Sequence, residues 1–224
     1  ARHNSSCSRG CNYLYASKGR IIMRAYVPVF TMEVKEKLRL YSSLLKKWQK
    51  KFNLVGNSTL LNICVRHFQD SAQLYPLLPK EEKDAPVYDI GAGAGFPGMV
   101  LAIMGRKDII LCESNEKKCI FLEEVKKRTQ TNVIIDNIRA EHLAPKSAVA
   151  VIARAVTSLN GLLEISEPLI KGKGQCIFPK GKNWKKELML AEKFFYINYN
   201  LVKSITSEES YIFVVKNIER KNAI

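Results

Sequence analysis

Glycines are concentrated in one short stretch of the chain, 91-GAGAGFPG-98, which directly follows the apolar residues 87–90. Glycine lets a backbone turn sharply, and it lets a ligand approach without a Cβ in the way. Residues 93–98 satisfy the pattern GxGxxG, and Glu113 ends the next strand-like run, where an acid can bind the hydroxyls of a ribose. The pattern predicts a site for a ligand that contains a nucleoside.

Two ligands would place an adenosine ribose against this acid, a dinucleotide and S-adenosylmethionine. A pyrophosphate needs open helix N–H groups at the glycine turn, whereas S-adenosylmethionine brings an ammonium and a sulfonium to it. Asp89, two residues before Gly91, suits a cation and would repel a pyrophosphate. These residues favour S-adenosylmethionine as the cofactor, at a site that includes Asp89, Gly91, Gly93 and Glu113. An NAD-dependent oxidoreductase remains the alternative.

The sequence offers no recognisable nucleophile or metal centre. Its three histidines are scattered, so no Ser/His/Asp or Cys/His arrangement can be read from the spacing. There is no CxxC pair, and most of the six cysteines lie in apolar segments, which favours reduced thiols in a cytosolic protein. We therefore expect no metal site. The cysteines are at positions 7, 11, 64, 112, 119 and 176.

The elements that must position the glycine turn are short strands alternating with helices. The strand-like runs are VYDI (87–90), IILCE (109–113), NVIID (132–136), AVAVIAR (148–154) and GQCIF (174–178). Such alternation predicts right-handed crossovers and a parallel sheet, and Pro97 fits the first turn of the helix after the glycines. Residues 200–206 and 210–218 should form an antiparallel hairpin. The predicted fold class is α/β, with the Rossmann-like, mostly parallel sheet and C-terminal hairpin of class I S-adenosylmethionine-dependent methyltransferases.

Two helical stretches precede this sheet. Apolar residues from 34 to 52 follow a 4-3-4-3-4 spacing, which predicts an amphipathic helix. A second helix is predicted around residues 58–78, with Ser58 as its N-cap and Pro79 beyond its end. The chain should therefore begin its fold with a small helical unit.

His67 and Asp70 are three residues apart in the second helical stretch, and this spacing alone favours a structural hydrogen bond between helix turns. The polar segment 80–86 then looks like a linker. We predict a helical N-terminal subdomain at residues 32–83 and a Rossmann-like methyltransferase domain at residues 84–224.

Residues 1–31 form a basic leader with five Arg/Lys and no acid, the first carboxylate being Glu33. Three interpretations compete. The leader is upstream sequence ahead of a true start at Met23 or Met32, a disordered basic arm, or a targeting peptide.

The chain carries a formal net charge of +15, spread along its length. Such a balance favours a polyanionic partner, most often nucleic acid, because neutralising phosphates releases counterions. A basic but passive surface is the alternative. No window approaches the eighteen or more apolar residues of a membrane span, so we expect a cytoplasmic protein without a membrane partner.

Five linked motifs carry a resemblance to a known family. They are DIGAGAGFPG (89–98), ESNEKKCIFLEEV (113–125), RAEHL (139–143), IARAVTSL (152–159) and FPKGKN (178–183). In order and spacing they resemble the small-subunit rRNA guanine-N7 methyltransferases, also called glucose-inhibited division protein B. Residues 41–55 and 65–74 look like that family's N-terminal helices. The resemblance covers roughly residue 33 to the C-terminus.

The resemblance implies roles for individual residues. Gly91 and Phe96 match positions that contact the cofactor, Ala140 and Glu141 match the pair at its adenine end, and Arg154 matches an arginine where the acceptor meets the methyl group. It also favours His67 and Asp70 as supports of the site. The complete prediction has three parts: catalytic Arg154 and Lys180; cofactor-binding Asp89, Gly91, Gly93, Phe96, Glu113, Ala140, Glu141 and Arg154; RNA-binding Arg139 and Lys180.

The implied reaction is methylation of guanine N7 in the 530-loop region of 16S rRNA. Guanine N7 carries no proton, so attack on the methyl group needs no general base, and catalysis would consist of alignment and electrostatics. N7 faces the deep, narrow major groove of A-form RNA, so the target base should be unpaired or flipped out. We expect a monomer whose partner is 16S rRNA or the small ribosomal subunit. A non-catalytic RNA-binding assembly factor is the third interpretation.

Overall fold

The computed structural model describes residues 13–17 and 20–221, with side chains from Ala25 onward. Nine strands are present in these residues: β1 Tyr13–Ser17, β2 Arg20–Arg24, β3 Val87–Ile90, β4 Ile109–Cys112, β5 Ile134–Asp136, β6 Ala148–Ile152, β7 Ile170–Lys180, β8 Phe195–Lys203 and β9 Tyr211–Arg220. They form one sheet in the order β1-β2-β8-β9-β7-β6-β3-β4-β5.

Six α-helices flank this sheet in the described part of the chain: α1 Met32–Gln49, α2 Asp70–Ala72, α3 Gly98–Ile103, α4 Glu116–Thr129, α5 Leu159–Ser166 and α6 Trp184–Phe194. The amphipathic helix predicted over 34–52 is α1. It begins at an N-cap, Thr31, whose hydroxyl accepts a hydrogen bond from the Val34 N–H. Its apolar face, including the fully buried Leu45, packs inward, and burying one such side chain stabilises the fold by about 1.5–3 kcal/mol.

The central five strands run parallel in the order β5-β4-β3-β6-β7. Counted along the chain from β3, this is the doubly wound order 3-2-1-4-5, which reverses direction between β3 and β6. A crevice opens at the carboxyl ends of the strands on either side of such a reversal. Because β3 ends at Ile90, the fold places the glycine turn in this crevice.

The predicted C-terminal hairpin is confirmed. Strand β9 is antiparallel to both β7 and β8 and lies between them. The strands are longer than the predicted 200–206 and 210–218, because β8 already begins at Phe195, directly after α6, and Phe195 and Tyr199 are buried against the sheet's core.

The second helical stretch is less regular than predicted. It consists of a 3₁₀ helix Asn57–Asn62, a π-helix Cys64–Gln69, the short α2 and a 3₁₀ helix Tyr75–Leu77. Ser58 does not cap it, since Gly56 holds the N-cap position and no side chain bonds there. Side-chain hydrogen bonds link its parts: Thr59 Oγ1 donates to Gly56 O and contacts His67 Nε2.

The leader contains two strands where a disordered arm was one expectation. Strand β1 pairs antiparallel with β2, and β2 pairs parallel with β8 through the register Ile22 to Leu201. Residues 1–12 and 18–19 of the leader lie outside the described residues. Two of the cysteines, Cys7 and Cys11, fall in that part.

The N-terminal helices and one face of the sheet share a hydrophobic core. Tyr41 of α1 is fully buried beside Phe96 of the glycine turn, and its hydroxyl donates to the backbone oxygen of Ala94. Helix α1 also packs against α4, where Trp48 Nε1 donates to Glu124 Oε2 at 2.6 Å. The N-terminal segment, by which we mean α1 and the helical stretch that follows it up to Leu77, thus reaches the crevice directly. Among the described helices, none is both long and apolar enough to cross a membrane.

Candidate active site

The glycine turn has a backbone that only glycine adopts without strain. Gly91, Gly93 and Gly95 have φ angles of +62°, +60° and +90°. A Cβ on Gly91 would lie 2.8 Å from Val156 Cγ2, and one on Gly95 would lie 2.6 Å from Tyr41 Oη. The turn is therefore fixed both by conformation and by close neighbours. Pro97 lies one residue earlier than predicted, at the N-cap of α3.

Asp89 is the buried acid behind this turn. Its Oδ2 accepts a hydrogen bond from Gly98 N at 2.7 Å, while its Oδ1 has no partner among the described residues. Burial raises the pKa of Asp89 to about 7; the Gly98 N–H and the Arg154 charge lower it, and Glu113 raises it further. A buried carboxylate oxygen without a donor is a place where a cationic ligand group would be stabilised.

Glu113 ties the turn to the neighbouring strand β4. Its Oε2 accepts from Gly93 N and its Oε1 from Asn115 N, both at 2.8 Å, and Lys118 Nζ is 3.9 Å from Oε2. Each carboxylate oxygen can accept a second hydrogen bond. Glu113 thus stands beside the glycine turn, as the sequence predicted for a ribose-binding acid. We call Asp89, the turn 91–98 and Glu113 the cofactor half.

The predicted adenine-end residues follow β5 at the edge of the sheet. Ala140 and Glu141 begin a 3₁₀ helix, Ala140–His142, after the exposed Arg139. The segment before it is joined to the cofactor half by Asn137, whose Nδ2 donates to Glu113 O at 2.8 Å. Cofactor contacts by Ala140 and Glu141, and RNA contact by Arg139, stay predictions.

Phe96 connects the glycine turn to the rest of the site through its ring. The ring is buried and stacks on His67 at 4.6 Å and on Tyr41 at 5.3 Å between centroids. The guanidinium carbon of Arg154 lies 5.0 Å from the centre of the Phe96 ring. Phe96 thus forms the wall between the cofactor half and the N-terminal segment.

Arg154 is held by the N-terminal segment. Its Nη1 donates to Asp70 Oδ2 at 3.0 Å and to Arg66 O at 3.1 Å, and its Nη2 donates to His67 Nδ1 at 2.8 Å. The carboxylate of Asp70 is also bonded by Thr206 Oγ1 from the loop between β8 and β9. The structure therefore brings together His67, Asp70 and Arg154, which the resemblance linked.

The contacts of His67 require its neutral form. Because Nδ1 accepts from Arg154, the ring proton resides on Nε2, which lies 2.8 Å from Thr59 Oγ1. Burial and the Arg154 charge lower the pKa of His67 to about 4, against the opposing charge of Asp70. A neutral imidazole that accepts from a guanidinium orients the arginine and adds no second positive charge.

Lys180 lies across the cleft from Arg154, at the end of β7. Its ammonium donates to Thr157 O at 2.7 Å and pairs with Glu187 Oε2 at 2.8 Å. Arg154, Lys180 and His67 line one cleft of about 410 Å³. We call Arg154, Lys180 and their side-chain partners the acceptor half. A larger cavity, of about 500 Å³, lies at the opposite ends of the strands beside Asp108 and touches none of these residues.

Two residues of this region were missed by the sequence analysis. Val156 packs over Gly91, and Glu187 on α6 pairs with Lys180. Neither has a signal of its own in the sequence, because both act through contacts that only the fold creates. In the described part of the chain, no cluster of three or more metal-ligating side chains is present. The four cysteines in that part, Cys64, Cys112, Cys119 and Cys176, are free thiols.

The residues of the cofactor half fit S-adenosylmethionine. The unpaired Asp89 Oδ1 offers an acceptor to an ammonium, Gly91 of the glycine turn is exposed, and Glu113 provides an acid directly after β4. The doubly wound sheet and its C-terminal hairpin place this site at the reversal of strand order. Fold and site together define a class I S-adenosylmethionine-dependent methyltransferase.

Solved structures agree with this fold. An S-adenosylmethionine-dependent methyltransferase from Aquifex aeolicus has a TM-score of 0.54 at 15% identity, covering 79% of this chain and 98% of its own. The magnesium protoporphyrin IX methyltransferase of Synechocystis, with bound S-adenosylmethionine, has a TM-score of 0.53 at 15% identity, covering 86% and 100%. At such identities the likeness shows the fold alone.

Comparison of sequences identifies the family. A family model described as rRNA small subunit methyltransferase G matches residues 34–212. The ribosomal RNA small subunit methyltransferase G of Paramagnetospirillum magneticum is 41% identical over 191 residues, which cover 85% of this chain and 92% of that protein. The one from Rickettsia akari is 37% identical over 188 residues, covering 84% and 96%. The chain belongs to the rRNA small subunit methyltransferase G family, which rules against the NAD-dependent alternative.

Proposed function

We propose that this chain transfers the methyl group of S-adenosylmethionine to N7 of a guanine in the 530-loop region of 16S rRNA. Family membership carries the proposal, because it covers residues 34–212 and with them both halves of the site. The acceptor cleft supports it, since Arg154, which lines it, suits a polyanionic substrate. The choice of N7 and of the 530-loop rests on the resemblance of the motifs.

The cofactor half is proposed to bind the cofactor, which supplies an electrophilic methyl carbon when it is bound. Glu113 accepts from ribose hydroxyls, Asp89 faces the ammonium, and Ala140 and Glu141 lie at the adenine end. Asp89 then has a donor for its unpaired Oδ1, which lowers its pKa from about 7 and keeps the carboxylate charged.

The acceptor half is proposed to align the guanine. In the described structure, Nε and one Nη2 hydrogen of Arg154 have no partner, and these can bind the guanine O6 edge or a phosphate. Methylation at N7 moves positive charge onto the base, so an uncompensated arginine would oppose the reaction. Asp70, 3.0 Å from Nη1, compensates that charge while it holds the guanidinium in place.

The RNA is proposed to meet the protein with its target base unpaired or flipped, since N7 is not accessible in the major groove of A-form RNA. A net charge of +15 favours contacts to neighbouring phosphates, and Arg139 is exposed for such a contact. We place this reaction in the cytoplasm, where rRNA is found in bacteria, and propose that the monomer performs it.

Nucleoside analysis tests the proposal. The purified chain is incubated with S-adenosylmethionine and small ribosomal subunits that lack the modification, and the digested rRNA is analysed for 7-methylguanosine by mass spectrometry. We expect it to form with wild-type protein and, over the same incubation time, to be strongly reduced with Arg154→Ala. No 7-methylguanosine on subunits or on free 16S rRNA, with cofactor binding intact, would overturn the substrate assignment and favour a non-catalytic assembly factor.

A further inference from the structure

A buried lysine, Lys180, and a half-buried glutamate, Glu187, close the loop that follows β6. Lys180 Nζ donates to the carbonyl oxygen of Thr157 at 2.7 Å and lies 2.8 Å from Glu187 Oε2. The Lys180 side chain is only 9% exposed, and Glu187 neutralises its charge. Because the ammonium is already bound by these partners, it is poorly placed to neutralise a phosphate.

Glu187 also holds the far end of the same loop. Its Oε2 accepts a hydrogen bond from the N–H of Leu159 at 2.8 Å. Leu159 is the first residue of α5, and an N–H at that position has no acceptor within its own helix. One carboxylate oxygen on α6 is therefore bonded directly to Leu159 and, by way of Lys180, to Thr157.

The other described contacts of the loop are the Ser158 hydroxyl, which caps α5, and Val156, which packs over Gly91. Residues 155–158 are all exposed, and Ala155 has a φ of +57°. A non-glycine residue in this region costs about 1–3 kcal/mol and persists only where the surroundings hold it. The loop starts at Arg154 and places Val156 over Gly91, so its conformation sets how the two halves of the site meet.

We propose that Glu187 is a positioning residue for methyl transfer. Through Lys180 and Leu159 it fixes the loop 155–158, and with the loop it fixes the placement of Arg154 beside the acceptor base. Lys180 accordingly acts on the loop and not as a phosphate contact. This inference rests on the proposed function for its catalytic consequence, whereas the loop's dependence on Glu187 can be measured without any substrate.

Hydrogen exchange of the purified chain tests the structural part. In Glu187→Ala the Leu159 amide loses its acceptor, so it should exchange at least about tenfold faster than in the wild type, while central amides of β6 stay protected. Glu164→Ala is the matched control, because Glu164 pairs with Arg220 on the surface at 3.6 Å. Unchanged exchange at Leu159 in Glu187→Ala would overturn the proposal, and so would an equal increase in the control.

Kinetics and salt dependence test the catalytic part. Glu187→Ala and Lys180→Met should each lower kcat about 10²-fold, the scale expected for a small misplacement of a reacting group. Their KM for small subunits and the salt dependence of RNA binding should stay near wild type. Lys180→Arg, which keeps a cationic donor for Thr157 and Glu187, should restore part of kcat.

Two results would contradict a positioning role. If Lys180→Met raises KM, leaves kcat unchanged and reduces the salt slope by about one, Lys180 is a phosphate contact. If Glu187→Ala has wild-type kcat, the Glu187 side chain does not position the loop for methyl transfer. A wild type that methylates no rRNA would instead defeat the proposed function, and the exchange experiment would still decide whether Glu187 holds the loop.

Discussion

The cofactor half and the acceptor half meet at Phe96, but they are built by different kinds of contact. In the cofactor half, carboxylates of Asp89 and Glu113 bind backbone N–H groups of the glycine turn, across separations of 9 and 20 residues. In the acceptor half, side chains bind each other and distant backbone, as Arg154 does across 84 residues to Asp70. Backbone conformation therefore determines the geometry of the cofactor half, and charge balance determines that of the acceptor half.

The two halves also differ in how protonation at low pH affects them. Burial raises the pKa of Asp89 to about 7 and lowers that of His67 to about 4. Neutral Asp89 and neutral His67 are thus the forms that their surroundings favour when no ligand is bound. Protonation is tolerated in the cofactor half and disrupts the acceptor half.

Loss of Arg154 should have the largest effect on methyl transfer. Arg154→Ala removes a preorganised cation at the acceptor, so we expect the rate with saturating cofactor to fall about 10²–10³-fold. Affinity for S-adenosylmethionine should fall far less, because the hydrogen bonds of Arg154 go to Arg66, His67 and Asp70. Single-turnover kinetics and calorimetry measure the two quantities.

Arg128→Ala is the matched control for that experiment, since Arg128 is exposed in the last turn of α4. Its rate should match the wild type. If Arg154→Ala loses cofactor affinity as strongly as it loses rate, the two halves are not separable, and Arg154 belongs to the cofactor half.

Loss of Glu113 should affect cofactor affinity, whereas loss of Arg154 should affect mainly the rate of methyl transfer. Glu113→Ala should weaken S-adenosylmethionine binding by about 1.5–3 kcal/mol, the range for hydrogen bonds to a charged group. Isothermal calorimetry measures it, with Glu116→Ala in the exposed first turn of α4 as the control. Unchanged affinity in Glu113→Ala would reject the ribose assignment.

A single methyl group should distort the cofactor half. A Cβ on Gly98 would lie 2.4 Å from Leu111 Cδ2 and 2.6 Å from Asp89 Oδ2, so Gly98→Ala should lower the free energy of unfolding by about 1–3 kcal/mol. Gly56→Ala is the control, because nothing lies within 4 Å of its Cβ position. Urea unfolding curves compare the two, and equal midpoints would show that the turn tolerates displacement.

The smallest expected effect is a pair of opposed pH dependences in the ligand-free protein. The folded pKa of Asp89, about 7, lies above its usual 3.8, so its contribution to stability is full below pH 3.8 and is lost as pH rises towards 7. The folded pKa of His67, about 4, lies below its usual 6.5, so its contribution is full above pH 6.5 and is lost as pH falls towards 4.

Unfolding free energies measured from pH 4 to pH 8 separate these contributions. In Asp89→Asn, the decline in the free energy of unfolding with rising pH should be absent. In His67→Asn, the decline with falling pH should be absent, while the asparagine can still accept a hydrogen bond from Arg154. Identical pH profiles for both variants and the wild type would contradict the assigned pKa directions.

Sequence reasoning recovered the cofactor half more fully than the acceptor half. The glycine turn and Glu113 follow two consecutive strands of the sheet, so strand periodicity and glycine spacing were enough to place them together. The same periodicity predicted the mostly parallel sheet and the C-terminal hairpin. Local patterns determine these features, and local patterns are what a single sequence displays.

The acceptor half depends on contacts between distant segments. Spacing alone favoured a hydrogen bond within the helix for His67 and Asp70, whereas His67 in the π-helix and Asp70 at the start of α2 both bond to Arg154. Lys180 was predicted as an RNA contact, but its buried pairing with Glu187 exists only once β7 and α6 are packed. No periodicity in the sequence encodes such a pair.

Site-resolved mapping of the transferred methyl group tests the central claim most directly. Small subunits lacking the modification are incubated with the chain and S-adenosylmethionine that carries a deuterated methyl group, and the 16S rRNA is cut into fragments for mass spectrometry. We expect a heavy 7-methylguanosine in the fragment containing the 530 loop, at one position. Label on another atom or in another fragment, or no label while the cofactor binds, would contradict it.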